Sequence, residues 1–404
     1  MGLISVRQGI AWQLILLAMP RSPFDRRDFL RLSALTMGAA QMPAFAQSAQ
    51  PAAPAASTDA AQPAAGPPIK PIGYAAVGLG TISGIFMRAC AKSQTAKITA
   101  LVTGHPDTKG KRFAEMYGIP ETSIYTYEQY DKLRDNKDVD AVYIGLPNSM
   151  HKEYTIRGAQ LGKHVLCEKP MAVSSAECRQ MIDACRASGR KLMIAYRVHY
   201  EPAHVQGRQM IQSGAIGQVQ SFEGSYGFNA GANQWRLTRQ YAGGGPLVDV
   251  GIYLLNETRW ITGEEPIAFS AQAATRDTSG RFAEVEQTLT FSVKFPSGIV
   301  GTFNTSYGSD MPGYLRIHGD KGSLQYSPAY DYTGVHLAGL GRNTTDILTP
   351  RTVDQFQLEA EHFANCIRTN TDPLTGGDEG LKDLLAMEAI YKAAGTPMGV
   401  TKNR

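Results

Sequence analysis

Beyond residue 71 the chain predicts an α/β fold, on three observations. Short apolar runs without helical period recur at 72–77 (IGYAAV), 97–102 (KITALV), 140–146 (DAVYIGL) and 164–167 (HVLC), each read as a buried strand. The first run leads directly into Gly78-Leu79-Gly80-Thr81-Ile82-Ser83-Gly84. Residues 85–91 then read as helix. In such a strand, glycine turn and helix, the first glycine permits the tight turn. The second lets a pyrophosphate reach the N–H groups at the helix start, next to Thr81 and Ile82. Ser83 stands where a third small residue is needed for the helix to pack on its strand.

These elements predict an N-terminal Rossmann dinucleotide-binding domain over 72–195. At the end of the second strand, where a carboxylate ordinarily grips the ribose of NAD, the chain has Thr103, Gly104 and His105, followed by Lys109 and Lys111. A carboxylate would repel a ribose phosphate, whereas a hydroxyl beside ammonium groups accepts one, so NADP is the expected cofactor. The third strand runs into Pro147-Asn148-Ser149-Met150-His151, a turn at the edge where open α/β sheets bind ligands. The fourth ends at Glu168-Lys169-Pro170, where proline stops the strand.

Charge and composition narrow the function. Of the net +4, five Arg and two Asp in residues 1–46 supply +3, so the body is near neutral and lacks the basic footprint of a nucleic-acid binder. Arg26-Arg27-Asp28-Phe29-Leu30-Arg31 resembles a twin-arginine export signal. It is followed by an apolar stretch at 32–45 too short to span a bilayer, and by Ala44-Phe45-Ala46 as cleavage site. Residues 1–46 are therefore expected to be a leader, without membrane anchor, that sends the protein to the periplasm. Residues 47–71 are dominated by Ala and Pro and read as an extended arm. The five cysteines show no CxxC spacing and read as buried apolar side chains. The scattered histidines suggest no metal site.

GLG after the first strand, PNSMH (147–151), HVLCEKPMA (164–172), YRVHYEP (196–202), QWRLTRQYAGGGPLVDVGIYLLN (234–256) and GEEP (263–266) resemble the Gfo/Idh/MocA oxidoreductase family. With the leader and the arm, they are most similar to its exported glucose-fructose oxidoreductase branch. The resemblance implies a second, α+β domain over 196–404 with a large, mostly antiparallel open sheet, and a homo-oligomer formed through it. The run 291–295, Pro296-Ser297-Gly298 and 299–304 agrees, reading as a hairpin. By this resemblance Gly78, Gly80, Thr81, Ile82, Thr103, Lys109, Pro147, Asn148, His151, Glu168, Lys169, Arg197, Trp235 and Arg236 bind the cofactor. His199, Tyr200, Arg239, Asp249 and Tyr253 meet the sugar. Lys169, Asp249 and Tyr253 are catalytic.

The chemistry agrees with that assignment. Oxidising an aldose at the anomeric carbon removes a hydride and a hydroxyl proton, so a base must sit beside the nicotinamide. Asp249 and Tyr253, spaced i, i+4, share one face of a helix opening after Gly243-Gly244-Gly245. A tyrosine at its ordinary pKa of ~10 is a poor base near neutrality; a nearby ammonium lowers it, and Lys169 is the expected source. An exported enzyme finds no NADP pool, so the expected activity is ping-pong: an aldose such as glucose goes to its lactone and a sugar such as fructose to its polyol, on tightly held NADP. A dehydrogenase with dissociable cofactor, an aldose-aldose oxidoreductase and a non-catalytic sugar-binding protein are the alternatives.

Overall fold

The computed structural model describes residues 70–340, 345–347 and 354–399; the expected leader and all but the last two residues of the arm lie outside them. Six parallel strands form the first sheet: β1 (Ile72–Val77), β2 (Ala96–Val102), β3 (Ile124–Tyr125), β4 (Ala141–Ile144), β5 (His164–Glu168) and β6 (Leu192–Ala195). Their spatial order, β3-β2-β1-β4-β5-β6, is the doubly wound order of a dinucleotide-binding sheet. Every residue of β1 and β4 is buried, which is why these strands read as unbroken apolar runs: helices cover both faces of a parallel sheet. The chain reverses its winding between β1 and β4, and a crevice opens there at the carboxyl ends of the strands.

The helix after the glycine turn runs Thr81–Cys90, four residues earlier than its apolar pattern suggests. The turn needs only Gly78, at φ +83°, and Gly80 as N-cap, so Thr81 already carries helical geometry. Ser83 is fully buried, and a Cβ on Gly145, just past β4, would lie 2.2 Å from its Oγ. The small residue at 83 and the absent side chain at 145 together set the close helix-to-strand approach.

The second sheet has eight strands: β7 (Val219–Gly227), β8 (Ala268–Ala274), β9 (Thr288–Lys294), β10 (Val300–Ser306), β11 (Met311–Gly319), β12 (Ser323–Tyr326), β13 (Leu337–Leu340) and β14 (Thr345–Ile347). They lie in the order β14-β13-β12-β11-β7-β10-β9-β8, all antiparallel except β7 with β10. The expected hairpin is β9 and β10, in register at Phe291 and Phe303, with Gly298 at φ +94° in its turn. Leu289, Phe291, Val293 and Phe303 bury one face by simple alternation.

The boundary expected at 195/196 falls just after β6, but the chain crosses back. In the Gln355–Thr369 helix, Ala360, Phe363, Ala364 and Cys366 join the core formed by Ile72, Tyr74, Phe86 and Tyr143 of the first domain. Ile194 N–H then donates to Thr375 O at 2.7 Å. A segment assigned from sequence to the second domain thus covers the first. All five cysteines are buried free thiols. Among the described residues no helix is long and apolar enough to cross a membrane.

Gly145→Ala is expected to destabilise the protein by about 1–3 kcal/mol, because the Ser83 contact has no room to relax. Denaturant unfolding measures this; an unchanged midpoint would show that the helix and strand can separate freely.

Candidate active site

A cavity of about 1030 Å³ occupies the crevice, walled on one side by the first sheet and on the other by the second domain. Gly78, Gly80, Thr81 and Ile82 line one end, with Thr103 and Lys109 beside them. No side chain caps the Thr81–Cys90 helix, and its first turn carries no acidic residue. A Cβ on Gly80 would meet nothing within 4 Å, so the backbone at this point faces open space. This end fits a dinucleotide, whose pyrophosphate needs bare N–H donors and no intervening side chain.

Thr103 is buried at the end of β2, its hydroxyl accepting from His105 N–H at 3.1 Å. The two lysines expected near a ribose phosphate separate. Lys109 lines the cavity, whereas Lys111 stands on the surface beside Asp107 (3.8 Å) and Glu121 (3.6 Å). Of the two lysines, Lys109 is thus the one placed on the cavity wall. Pro147 and Asn148 also line the cavity, with Asn148 Nδ2 donating to Ala242 O at 2.9 Å.

At the other end the catalytic candidates meet. Asp249 lies in a π-helical turn, Leu247–Gly251, that opens the Ile252–Thr262 helix carrying Tyr253. The wide turn replaces the regular i, i+4 geometry expected, yet both residues line the cavity. Lys169 Nζ, from the loop after β5, donates to Asp249 O at 2.6 Å and to its Oδ1 at 3.2 Å. The second carboxylate oxygen accepts from Arg236 Nε (2.8 Å) and from Tyr307 Oη (2.9 Å). Burial alone would raise the Asp249 pKa, but the Lys169 and Arg236 charges and these hydrogen bonds hold it well below the carboxylate range. Burial likewise opposes the Lys169 charge, and Tyr253, Asp249 and Glu168 outweigh it, so the ammonium persists.

Lys169 does not bond the Tyr253 oxygen. Its Nζ lies over the ring, 4.7 Å from the centroid. The donor to that oxygen is Arg197, whose Nε reaches Tyr253 Oη at 3.2 Å from a buried guanidinium held by Tyr330 O (2.6 Å) and Gln355 Oε1 (2.8 Å). Glu168 lines the cavity next to Lys169, accepting from Tyr143 Oη at 2.6 Å, and its burial pushes its pKa upward.

Four expected site residues lie away from the cavity wall. His199 is buried against Trp260, with Nε2 2.7 Å from Asn256 Oδ1. Tyr200 is buried beside Thr375 and Met193. Arg239 reaches Pro397 O on the outer side. His151 bridges Leu146 O and Pro170 O, both at 2.9 Å, and so ties together two loops that line the site. In YRVHYEP the chain makes a tight 3₁₀ turn, Arg197–Tyr200, so neighbouring residues point to different sides and only Arg197 faces inward. Sequence reasoning missed Tyr226, Tyr307, Tyr330 and Tyr332, isolated aromatics on strands and loops that no motif marks.

Glycine cradle, half-buried lysine, carboxylate and cavity-facing tyrosine define a dinucleotide-dependent oxidoreductase. The chain belongs to the GFO/IDH/MocA family: residues 72–196 match the oxidoreductase family's NAD-binding Rossmann fold, and 204–325 match the GFO/IDH/MocA C-terminal domain. It is 30% identical over 336 residues, 81% of this chain and 92% of the relative, to a D-xylose 1-dehydrogenase [NADP(+)] of Haloarcula marismortui. It is 27% identical to a 1,5-anhydro-D-fructose reductase of Ensifer adhaerens, over 79% of this chain and 95% of that one. Among solved structures, aldose-aldose oxidoreductase from Caulobacter crescentus complexed with glycerol is 42% identical, with TM-score 0.78 over 82% of this chain and all of that one.

Glu286 supports the site from behind. Buried, it accepts from Gly245 N–H (3.2 Å) and Tyr391 Oη (2.6 Å), and so holds the glycine run that leads into the Asp249 turn. Burial pushes its pKa up to about 7. The folded state therefore binds this proton more tightly than the unfolded chain, and the group's contribution to stability is lost as pH rises from about 4.5 through 7, by about 3 kcal/mol. Glu286→Gln is expected to flatten that fall in denaturant titrations between pH 5 and pH 8; parallel curves for the two proteins would refute the assignment.

Proposed function

We infer that the protein oxidises an aldose at the anomeric carbon to a lactone and reduces a second sugar in the same cavity, on NADP that it does not release. The observation that carries this reading is the Lys169, Asp249, Tyr253 and Arg197 cluster on the cavity wall beyond the glycine cradle. Gly78, Gly80, Thr81 and Lys109 would hold NADP, which would supply reversible hydride transfer to and from a sugar carbon. Tyr253, acting as the phenolate that the Arg197 guanidinium 3.2 Å away stabilises, takes the proton of the reacting hydroxyl and becomes the neutral phenol. Lys169, locked to Asp249, fixes the face of the tyrosine ring. In the reductive half the same oxygen gives the proton back.

The relative of 42% identity supports a second aldose as acceptor. A ketose such as fructose is the second reading, favoured by the leader and arm at 1–71. That leader supports export to the periplasm, where retention of the cofactor removes any need for a free pool. The open face of the eight-stranded sheet is the proposed contact of a homo-oligomer. Denaturing the purified protein is expected to release NADP. Bound cofactor should absorb near ~340 nm after D-glucose or D-xylose and bleach with a second sugar. Protein that arrives free of nucleotide and turns over only with added cofactor would overturn tight retention.

Tyr253→Phe is expected to slow hydride transfer by about 10²–10⁴-fold with cofactor still bound; near-normal turnover would dismiss it as the base. Among the described residues, the cations at this end each already face a partner, Lys169 and Arg236 the Asp249 carboxylate and Arg197 the Tyr330 carbonyl and Gln355. Sugar phosphates are therefore expected to react roughly 100-fold less efficiently than the neutral sugars, read as kcat/KM; equal values would exclude this account.

A further inference from the structure

Behind the tyrosine at the reacting end lies a buried charged cluster that the proposed chemistry does not use. His204, on the Pro202–Gln212 helix, is fully buried with Nδ1 2.5 Å from Glu257 Oε1 and Nε2 2.8 Å from Ala329 O. The Ala329 carbonyl can only accept, so Nε2 carries hydrogen, and the Glu257 carboxylate favours a second proton on Nδ1, which makes the imidazole a cation. Burial works against that charge, and the Glu257 carboxylate outweighs it, raising the His204 pKa. The Tyr326 ring stacks on the imidazolium at 4.3 Å, close enough only because Gly207 has no side chain. Burying such a pair is costly unless its remaining valences are filled.

They are filled by a residue of the cavity wall. Glu257 Oε2 accepts from Tyr330 Oη at 2.9 Å. Tyr330 links the two groups: its hydroxyl reaches Glu257, its carbonyl Arg197 Nη2 at 2.6 Å, and its ring the Tyr253 ring at 5.3 Å. Glu257 follows Tyr253 by one turn of the same helix, so the carboxylate that orients Tyr330 and the phenol that Tyr330 supports move as one body. Tyr330 also precedes Asp331, Tyr332 and Thr333, which line the cavity.

We propose that the His204 and Glu257 ion pair, acting through Tyr330, is a positioning device that fixes Tyr253 and Arg197 for proton transfer, an inference resting on the sugar-oxidoreductase reading above. None of the three residues exchanges a proton with substrate. Their work is to hold two reacting groups at one separation, where an error of about 1 Å costs up to 10²-fold in rate.

The test uses the full-length holoenzyme and three variants: Tyr330→Phe, which removes one hydroxyl and keeps the ring and carbonyl, Tyr253→Phe, and the double variant. Tyr330→Phe is expected to slow single-turnover reduction of the bound cofactor by D-glucose about tenfold, with sugar KM and cofactor content unchanged, and to cause no further loss in the Tyr253→Phe background. Equal losses in both backgrounds, or no loss in either, would overturn the proposal. Two readouts stand apart from sugar turnover. The nitrogen resonances of His204 should report an imidazolium at pH 7 that Glu257→Gln converts to the neutral ring. In protein carrying carbon-labelled tyrosine, the Tyr253 ring resonance, assigned by its loss in Tyr253→Phe, should shift in Tyr330→Phe. If no aldose reduces the bound cofactor, the sugar reading falls while these two measurements still decide the positioning role: a neutral imidazole or an unmoved Tyr253 resonance refutes it.

Discussion

Everything at the reacting end depends on the Asp249 carboxylate. It joins a cation from the first domain, Lys169, to a cation and a phenol from the second, Arg236 and Tyr307, and its backbone carbonyl takes a further bond from Lys169. A buried carboxylate with one partner would cost more than it returned; with two cations and a hydroxyl it stays ionised and ties residues of the two domains together. The π-helical turn makes this possible. Its extra width turns the Asp249 carbonyl and carboxylate toward the loop after β5 while Tyr253, on the following helix, still faces the same cavity.

The cations at this end form a division of labour rather than a pool of positive charge. Lys169 is spent on Asp249 and on the face of the Tyr253 ring. Arg197 is spent on the Tyr253 oxygen, on a backbone carbonyl and on Gln355, which stands on the helix that crosses back to cover the first sheet. The crossing therefore reaches the cavity as well as the core: Gln355 anchors the guanidinium that faces the Tyr253 oxygen. Lys109 lines the opposite end of the cavity, beside Thr103.

Carboxylates behind the site show the same economy. Glu286 and Glu257 are both buried, yet each holds a backbone or tyrosine donor that shapes the wall in front of it. The site is thus a thin layer of reacting groups, backed by a second layer of buried charge that gives those groups their places.

The sequence by itself determined the local pieces. Unbroken apolar runs announced parallel strands because a sheet covered on both faces needs no alternation, and a glycine turn can be read because its conformations admit no other residue cheaply. EKP and DVGIY marked Lys169, Asp249 and Tyr253, all of which reach the cavity. Tertiary structure alone decided which cation touches which oxygen. Lys169, expected to bring its ammonium near Tyr253, lies over the ring face at 4.7 Å and bonds Asp249 as well; Arg197 holds the phenol oxygen; His199 and Tyr200, adjacent to Arg197 in sequence, turn into the core because a 3₁₀ turn points successive side chains apart. Tyr330 and Gln355 lie far along the chain from everything they support. No periodicity encodes such meetings, since they follow from where the second sheet and the returning helix pack, and packing is a property of the whole chain.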